Sequence, residues 1–155
     1  MSLARRLLTI VLALVGAAGF AISVEGGRWW NLGSEIHVGP AGTQRCFGGE
    51  CGMGDLAWVR GSGLWERCSS GVYVGGLIAG LALLALAGAI AARRPGRLAA
   101  AVAGVASASA IATGAGFYAL APAIPEATVG RGVVLFAIGA VAALTAVGAT
   151  LTAKR

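Results

Sequence analysis

The sequence predicts a membrane all-α protein: a four-transmembrane-helix bundle with a small antiparallel β-sheet formed by the first extracytoplasmic loop. Three observations predict it. The 155 residues are 57% hydrophobic and only 12% charged, with a mean hydropathy of +0.83, whereas ordinary soluble domains carry about 25% charged residues. The apolar residues fall in four long blocks with no short helical or strand alternation, which is the pattern of lipid contact. The charges are unevenly divided between the segments that join those blocks, +7 on one side against −1 on the other.

The first block, Leu7 to Val24, lies in a helix expected over about residues 4–24. Arg5, Arg6 and a small-residue step at Gly19-Phe20-Ala21 also fit a cleaved signal peptide, but the apolar run is longer than a signal core, so a retained first span is expected. The second block, Val72 to Ala92, predicts a helix over 72–92, and the fourth, Val133 to Ala153, one over about 132–153. The third, Leu98 to Ile124, predicts the longest helix, over 98–124. Its excess is expected to tilt or to project as a stalk for the outer loop, and it is expected to be the most buried of the four. No block contains Lys, Arg, Asp, Glu or His. About 20 helical residues span a hydrocarbon core of roughly 30 Å, so the whole chain, 1–155, reads as one membrane domain with an extracytoplasmic loop at 25–71.

The net charge of +6 is a topology signal. Arg5, Arg6, Arg93, Arg94, Arg97, Lys154 and Arg155 flank the blocks on one side, with no acidic residue among them. The other side sets Arg28, Arg45, Arg60, Arg67 and Arg131 against Glu25, Glu35, Glu50, Asp55, Glu66 and Glu126. Cytoplasmic loops retain Lys and Arg, so both termini are expected in the cytoplasm. Nucleic acid is not an expected partner. Arg outnumbers Lys eleven to one, a codon-level bias that suits a GC-rich bacterial genome and makes the plasma (inner) membrane the expected location.

The helices read as packing surfaces. Gly76 and Gly80 form a GxxxG step, and Gly104 and Gly114 punctuate the third helix; small residues let helix backbones approach closely in lipid. No ionisable group lies at membrane depth, where transport and proton pathways need one. The hydroxyls Ser107, Ser109, Thr113 and Thr145 are expected to bond back to their own helices. No span contains a His to ligate haem or chlorophyll, and no cofactor is expected.

The loop alternates short β-prone stretches with Gly, Pro and Asn, the pattern of small antiparallel strands. It holds all four Trp and all three Cys. Trp29 and Trp30 suit either an interfacial aromatic belt or the loop's own core. An oxidising side favours a disulfide, worth about 2–4 kcal/mol in so small a unit. Three thiols leave one over: Cys46 can pair with Cys51, or Cys68 can take either, and spacing does not choose. His37 is expected on a strand surface; it and the cysteines lack metal-ligand spacing.

At Trp30 and at Gly63-Leu64-Trp65-Glu66-Arg67-Cys68 the chain resembles the claudin, peripheral myelin protein and calcium-channel gamma-subunit superfamily. Those four-helix membrane proteins carry a Trp after the first helix and a G-L-W-x-x-C signature in a large first outer loop. The long gap from Trp30 to Trp65 is more similar to the gamma-subunit branch. The family's second Cys, about nine residues after the first, is absent, so the resemblance implies that Cys46 or Cys51 replaces it or that the bridge is missing. It further implies a non-enzymatic adhesion, barrier or auxiliary-subunit protein in which Trp30, Gly63, Leu64, Trp65 and Cys68 determine the loop fold. Expected partners are the bilayer and other membrane proteins or further copies of the chain. The alternative is a membrane thiol–disulfide oxidoreductase using the outer-loop cysteines, against which the C-x4-C spacing counts.

Overall fold

The computed structural model describes residues 2–26, 28–94 and 96–153, so Pro95, Lys154 and Arg155 of the basic side lie outside the described residues. Four helices, α1 (Leu3–Glu25), α2 (Gly63–Ala91), α3 (Arg97–Ala119) and α4 (Arg131–Leu151), are each long and apolar enough to cross a membrane. Between α1 and α2 run strands β1 (Trp30–Leu32), β2 (Ile36–Gly39), β3 (Gly42–Phe47) and β4 (Glu50–Gly54), then a 3₁₀ turn at Ala57–Val59. A two-residue strand, β5 (Thr128–Val129), precedes α4. The antiparallel sheet has the order β4-β3-β2-β1-β5 and sits at one end of the bundle.

Three expectations about helix bounds and burial change here. The second helix starts at Gly63, nine residues before the expected 72. Ser62 caps it, its Oγ accepting from the Trp65 amide at 3.2 Å, and Glu66 sits in the first turn, where a carboxylate favours the positive helix pole. Trp65, Ser69, Val72, Gly76 and Ala79 are buried at helical spacing, so α2 begins amphipathic and becomes apolar later. The Gly63–Cys68 signature is therefore helical, outside the sheet.

The third helix ends at Ala119, short of the expected 124. Pro122 disfavours helical geometry at Ala121. The overlong helix is thus α2, whose 29 residues rise about 43 Å against a core of roughly 30 Å. The third change concerns burial. The apolar stretch of α3 is the least buried of the four, 28% against 44% for α1. Helix α1 packs against both α2 and α4, whereas α3 lies broadly on α2 and only thinly on α4.

Glycines set the close contacts. Gly76 faces Val24 and Gly80 faces the backbone of Ala17, so the GxxxG step packs on α1. Gly104 admits Val147 of α4, and Gly114 admits the Phe136 ring. The closest backbone-to-backbone approach between helices falls at glycines outside the expected set: Gly19 of α1 meets Gly139 of α4, where a Cβ on Gly19 would lie 2.6 Å from the partner Cα. As expected, Thr113 and Thr145 donate to Ser109 O and Val141 O, one turn back. Ser107 departs from that: its Oγ is buried and unpartnered among the described residues.

The sheet draws on both connections between helices on its side, not on the first alone. β5 pairs with β1 through Trp30↔Val129 and Asn31↔Thr128. The Gly130 amide donates to Trp29 O at 2.8 Å, and the Gly132 amide to Arg28 O at 3.0 Å. These bonds suture the start of α4 to the segment leaving α1.

Candidate functional site

The site built from these elements is the sheet together with the aromatic junction that fixes it on the bundle. Trp29 and Trp65 are 1% and 0% exposed, and the core around them includes Phe20, Phe117 and Phe136. Trp65 stacks on Phe117 at 5.1 Å with planes 12° apart. Trp29 meets Phe117 at 5.4 Å and Phe136 at 5.2 Å, and Trp30 stacks on Tyr118 at 6.1 Å. Every helix thus contributes a ring or receives one. Such pairs add about 0.5–1.5 kcal/mol each beyond their buried area.

The two fully buried indoles, of Trp29 and Trp65, need acceptors and find them on the backbone. Trp29 Nε1 donates to Ser23 O at 3.0 Å, and Trp65 Nε1 donates to Phe117 O at 2.9 Å. Trp29 and Trp30 accordingly belong to the core, which decides between the two roles open to them. Two further bonds tie the sheet end to the helices: Ser69 Oγ donates to Pro40 O at 2.8 Å, and Tyr73 Oη donates to Glu25 Oε1 at 2.7 Å. Ser69 and Tyr73 carry no sequence signature that marks these roles beyond their place on the α2 stripe.

Of the resemblance residues, the structure brings Trp30 and Trp65 together, their rings 6.5 Å apart. It does not bring in the others equally. Leu64 is exposed, Gly63 has open space where a Cβ would stand, and Cys68 packs half-buried with its Sγ beside Gly116 of α3.

The disulfide joins Cys46 to Cys51, and Cys68 is free. The pair sits at directly opposed positions of β3 and β4. Gly48 and Gly49 form the two-residue turn between them, both with positive φ (59° and 90°), the requirement of the tight hairpin turn that matches strand twist. The bridge staples a hairpin whose outer strand, among the described residues, pairs on one side only.

That outer strand is the longest fully exposed strand of the sheet. All five residues of β4 are exposed, and Met53 and the adjoining Phe47 are 66% and 52% exposed. The opposite edge is the two-residue β5, which runs into α4. The β4 edge therefore offers free backbone donors and acceptors beside apolar side chains, whereas natural edges are commonly blunted by Lys, Pro or a bulge.

His37 lies in the sheet and is buried, 6% exposed, contrary to its expected surface place. Its Nδ1 is 2.9 Å from Asn31 Oδ1 on the neighbouring strand, so the ring makes the cross-strand bond that satisfies both groups. Burial, and then the charges of Arg28 and Arg131, hold its pKa below the ordinary value of 6.5. A small cleft of about 110 Å³ opens beside it, bordered by Glu25, Arg28, Gln44 and Met53. Among the described residues no group of three or more His, Cys, Asp and Glu is placed to hold a metal ion.

The packed rings seat β1 on the bundle, and the sheet carries the stapled edge strand outward from it, three strands away. No protein-family model matches the chain, and no curated protein matches it.

Proposed function

We propose that this chain is a non-enzymatic multi-pass membrane protein that works by contact, as a structural, adhesion or auxiliary subunit. The sheet faces the outside, and both termini lie in the cytoplasm. The single observation that carries the reading is the exposed, disulfide-stapled β4 edge of a sheet that is seated on the bundle through β1. An open edge accepts a partner strand by backbone pairing, with flanking side chains giving selectivity. Spans free of ionisable side chains fit a support rather than a conduit.

The relation to the claudin, peripheral myelin protein and gamma-subunit superfamily is part of this proposal. Four helices with a sheet between the first two favour it; the helical position of Gly63–Cys68 weighs against the signature that suggested it. The contact reading stands on the sheet edge whether or not the relation holds.

Cross-linking in native membranes, followed by mass spectrometry, tests the reading. Cross-links from the β4 hairpin to a second membrane protein, or to another copy of the chain, are the expected result. A chain that is monomeric and unlinked through this hairpin would sink it. The oxidoreductase alternative has its own measurement, the reduction potential of the Cys46–Cys51 bridge. A value below about −300 mV identifies a structural bridge, and one near −200 mV or above revives redox exchange.

A further inference from the structure

All six acidic residues lie at or beyond the sheet end of the helices. At the opposite end the described residues include Arg5, Arg6, Arg93, Arg94 and Arg97, with no carboxylate among them. These five arginines divide into two kinds.

Arg5 and Arg6 are turned to structural use. Arg5 Nη2 donates to Ala149 O and to Thr152 Oγ1, both at 3.2 Å, and Arg6 Nη2 donates to Ala91 O at 2.8 Å. Ala149 and Ala91 belong to the last turns of α4 and α2, where carbonyls lack partners in their own helix and the negative helix pole attracts a cation. The two side chains therefore pin the first helix to the ends of two others.

Arg93, Arg94 and Arg97 do none of this. They fall within five consecutive positions at the turn between α2 and α3, and all three are exposed. Their side chains make no hydrogen bond, ion pair or ring contact among the described residues. Three like charges this close repel one another, and nothing within the described chain offsets them. A planar guanidinium presents a fork of donors that fits phosphate oxygens in pairs. The turn directly follows the apolar end of α2 and precedes that of α3, which places the forks at the depth where lipid phosphates lie.

We propose that the Arg93–Arg94–Arg97 turn binds the phosphate headgroups of anionic phospholipids. The inference rests on the membrane-spanning reading above, and goes beyond it by naming the occupant of this end. Each arginine near an anionic surface contributes about fivefold in affinity, so neutralising all three removes at least about tenfold of any lipid preference.

The test places the full chain in nanodiscs of equal phosphatidylglycerol and phosphatidylcholine, then counts retained lipids by native mass spectrometry. The expected result is enrichment of phosphatidylglycerol on the protein. The variant Arg93→Gln/Arg94→Gln/Arg97→Gln loses it at least about tenfold, and Arg93→Lys/Arg94→Lys/Arg97→Lys, which keeps the charge that orients the chain but not the paired donors, retains more of it than the Gln variant does. Equal retention of the two lipids by the unmodified protein overturns the proposal, as does enrichment that survives in the Gln variant. Displacement of the bound lipid by millimolar glycerol phosphate marks a site for free anions and overturns it too. A chain that does not enter nanodiscs at all contradicts the membrane reading itself, a result distinct from even lipid retention.

Discussion

At the scale of single residues, the structure sorts side chains that look alike in the sequence. Leu64 and Trp65 are neighbours in one signature, yet Leu64 faces outward while Trp65 is sealed among rings with its indole N–H on Phe117 O. Trp65→Ala is expected to cost about 3–5 kcal/mol, and Leu64→Ala close to nothing, in thermal unfolding of the detergent-solubilised protein. Glycines divide similarly. Gly19→Val forces a side chain into the backbone of Gly139 and should cost about 1–3 kcal/mol. Gly88 meets nothing within 4 Å, so Gly88→Ala should leave stability unchanged or raise it by up to about 1 kcal/mol. His37 adds a pH dependence. Its folded pKa lies below 6.5, so the unfolded chain takes up the proton first as the solution is acidified. Stability is therefore full above about pH 6.5 and falls as pH drops through the folded pKa. Unfolding temperatures measured from pH 7.5 to pH 5 should decline, and His37→Gln should flatten the decline.

At the scale of elements, the sequence revealed what lipid imposes and concealed what packing imposes. Hydropathy finds α1 and α4 nearly to their ends, because lipid solvation acts on composition. It misses the first nine residues of α2, where Glu66, Arg67 and two serines dilute the signal. There the signal is periodic: Trp65, Ser69 and Val72 follow a helical stripe, with Ser62 as its cap. Amide exchange gives a direct check. Amides from Arg67 to Gly71 should be protected like the rest of α2, whereas a loop would exchange within seconds. β5 was invisible for another reason. Two residues carry no local pattern, and Thr128–Val129 is a strand only because Trp30 and Asn31, nearly a hundred positions earlier, offer it an edge. The disulfide likewise needed the hairpin register that opposes Cys46 to Cys51.

At the scale of the whole molecule, two ends of opposite character result. One is a sheet seated on aromatic rings, with acidic and basic side chains in near balance; the other carries arginines, of which Arg5 and Arg6 close helix ends and three have no side-chain partner among the described residues. The charge asymmetry that predicts orientation from sequence is thus also a division of labour, and neither the contact reading nor the lipid site survives if the ends face the other way. Impermeant maleimide labelling of single cysteines in intact cells, in a Cys68→Ser background, tests this most directly. The account predicts that Ser34→Cys, in the β1–β2 turn, labels in intact cells, and that Ala92→Cys, beside the arginine turn, labels only after lysis. Labelling of Ala92→Cys in intact cells, with Ser34→Cys protected, would contradict it.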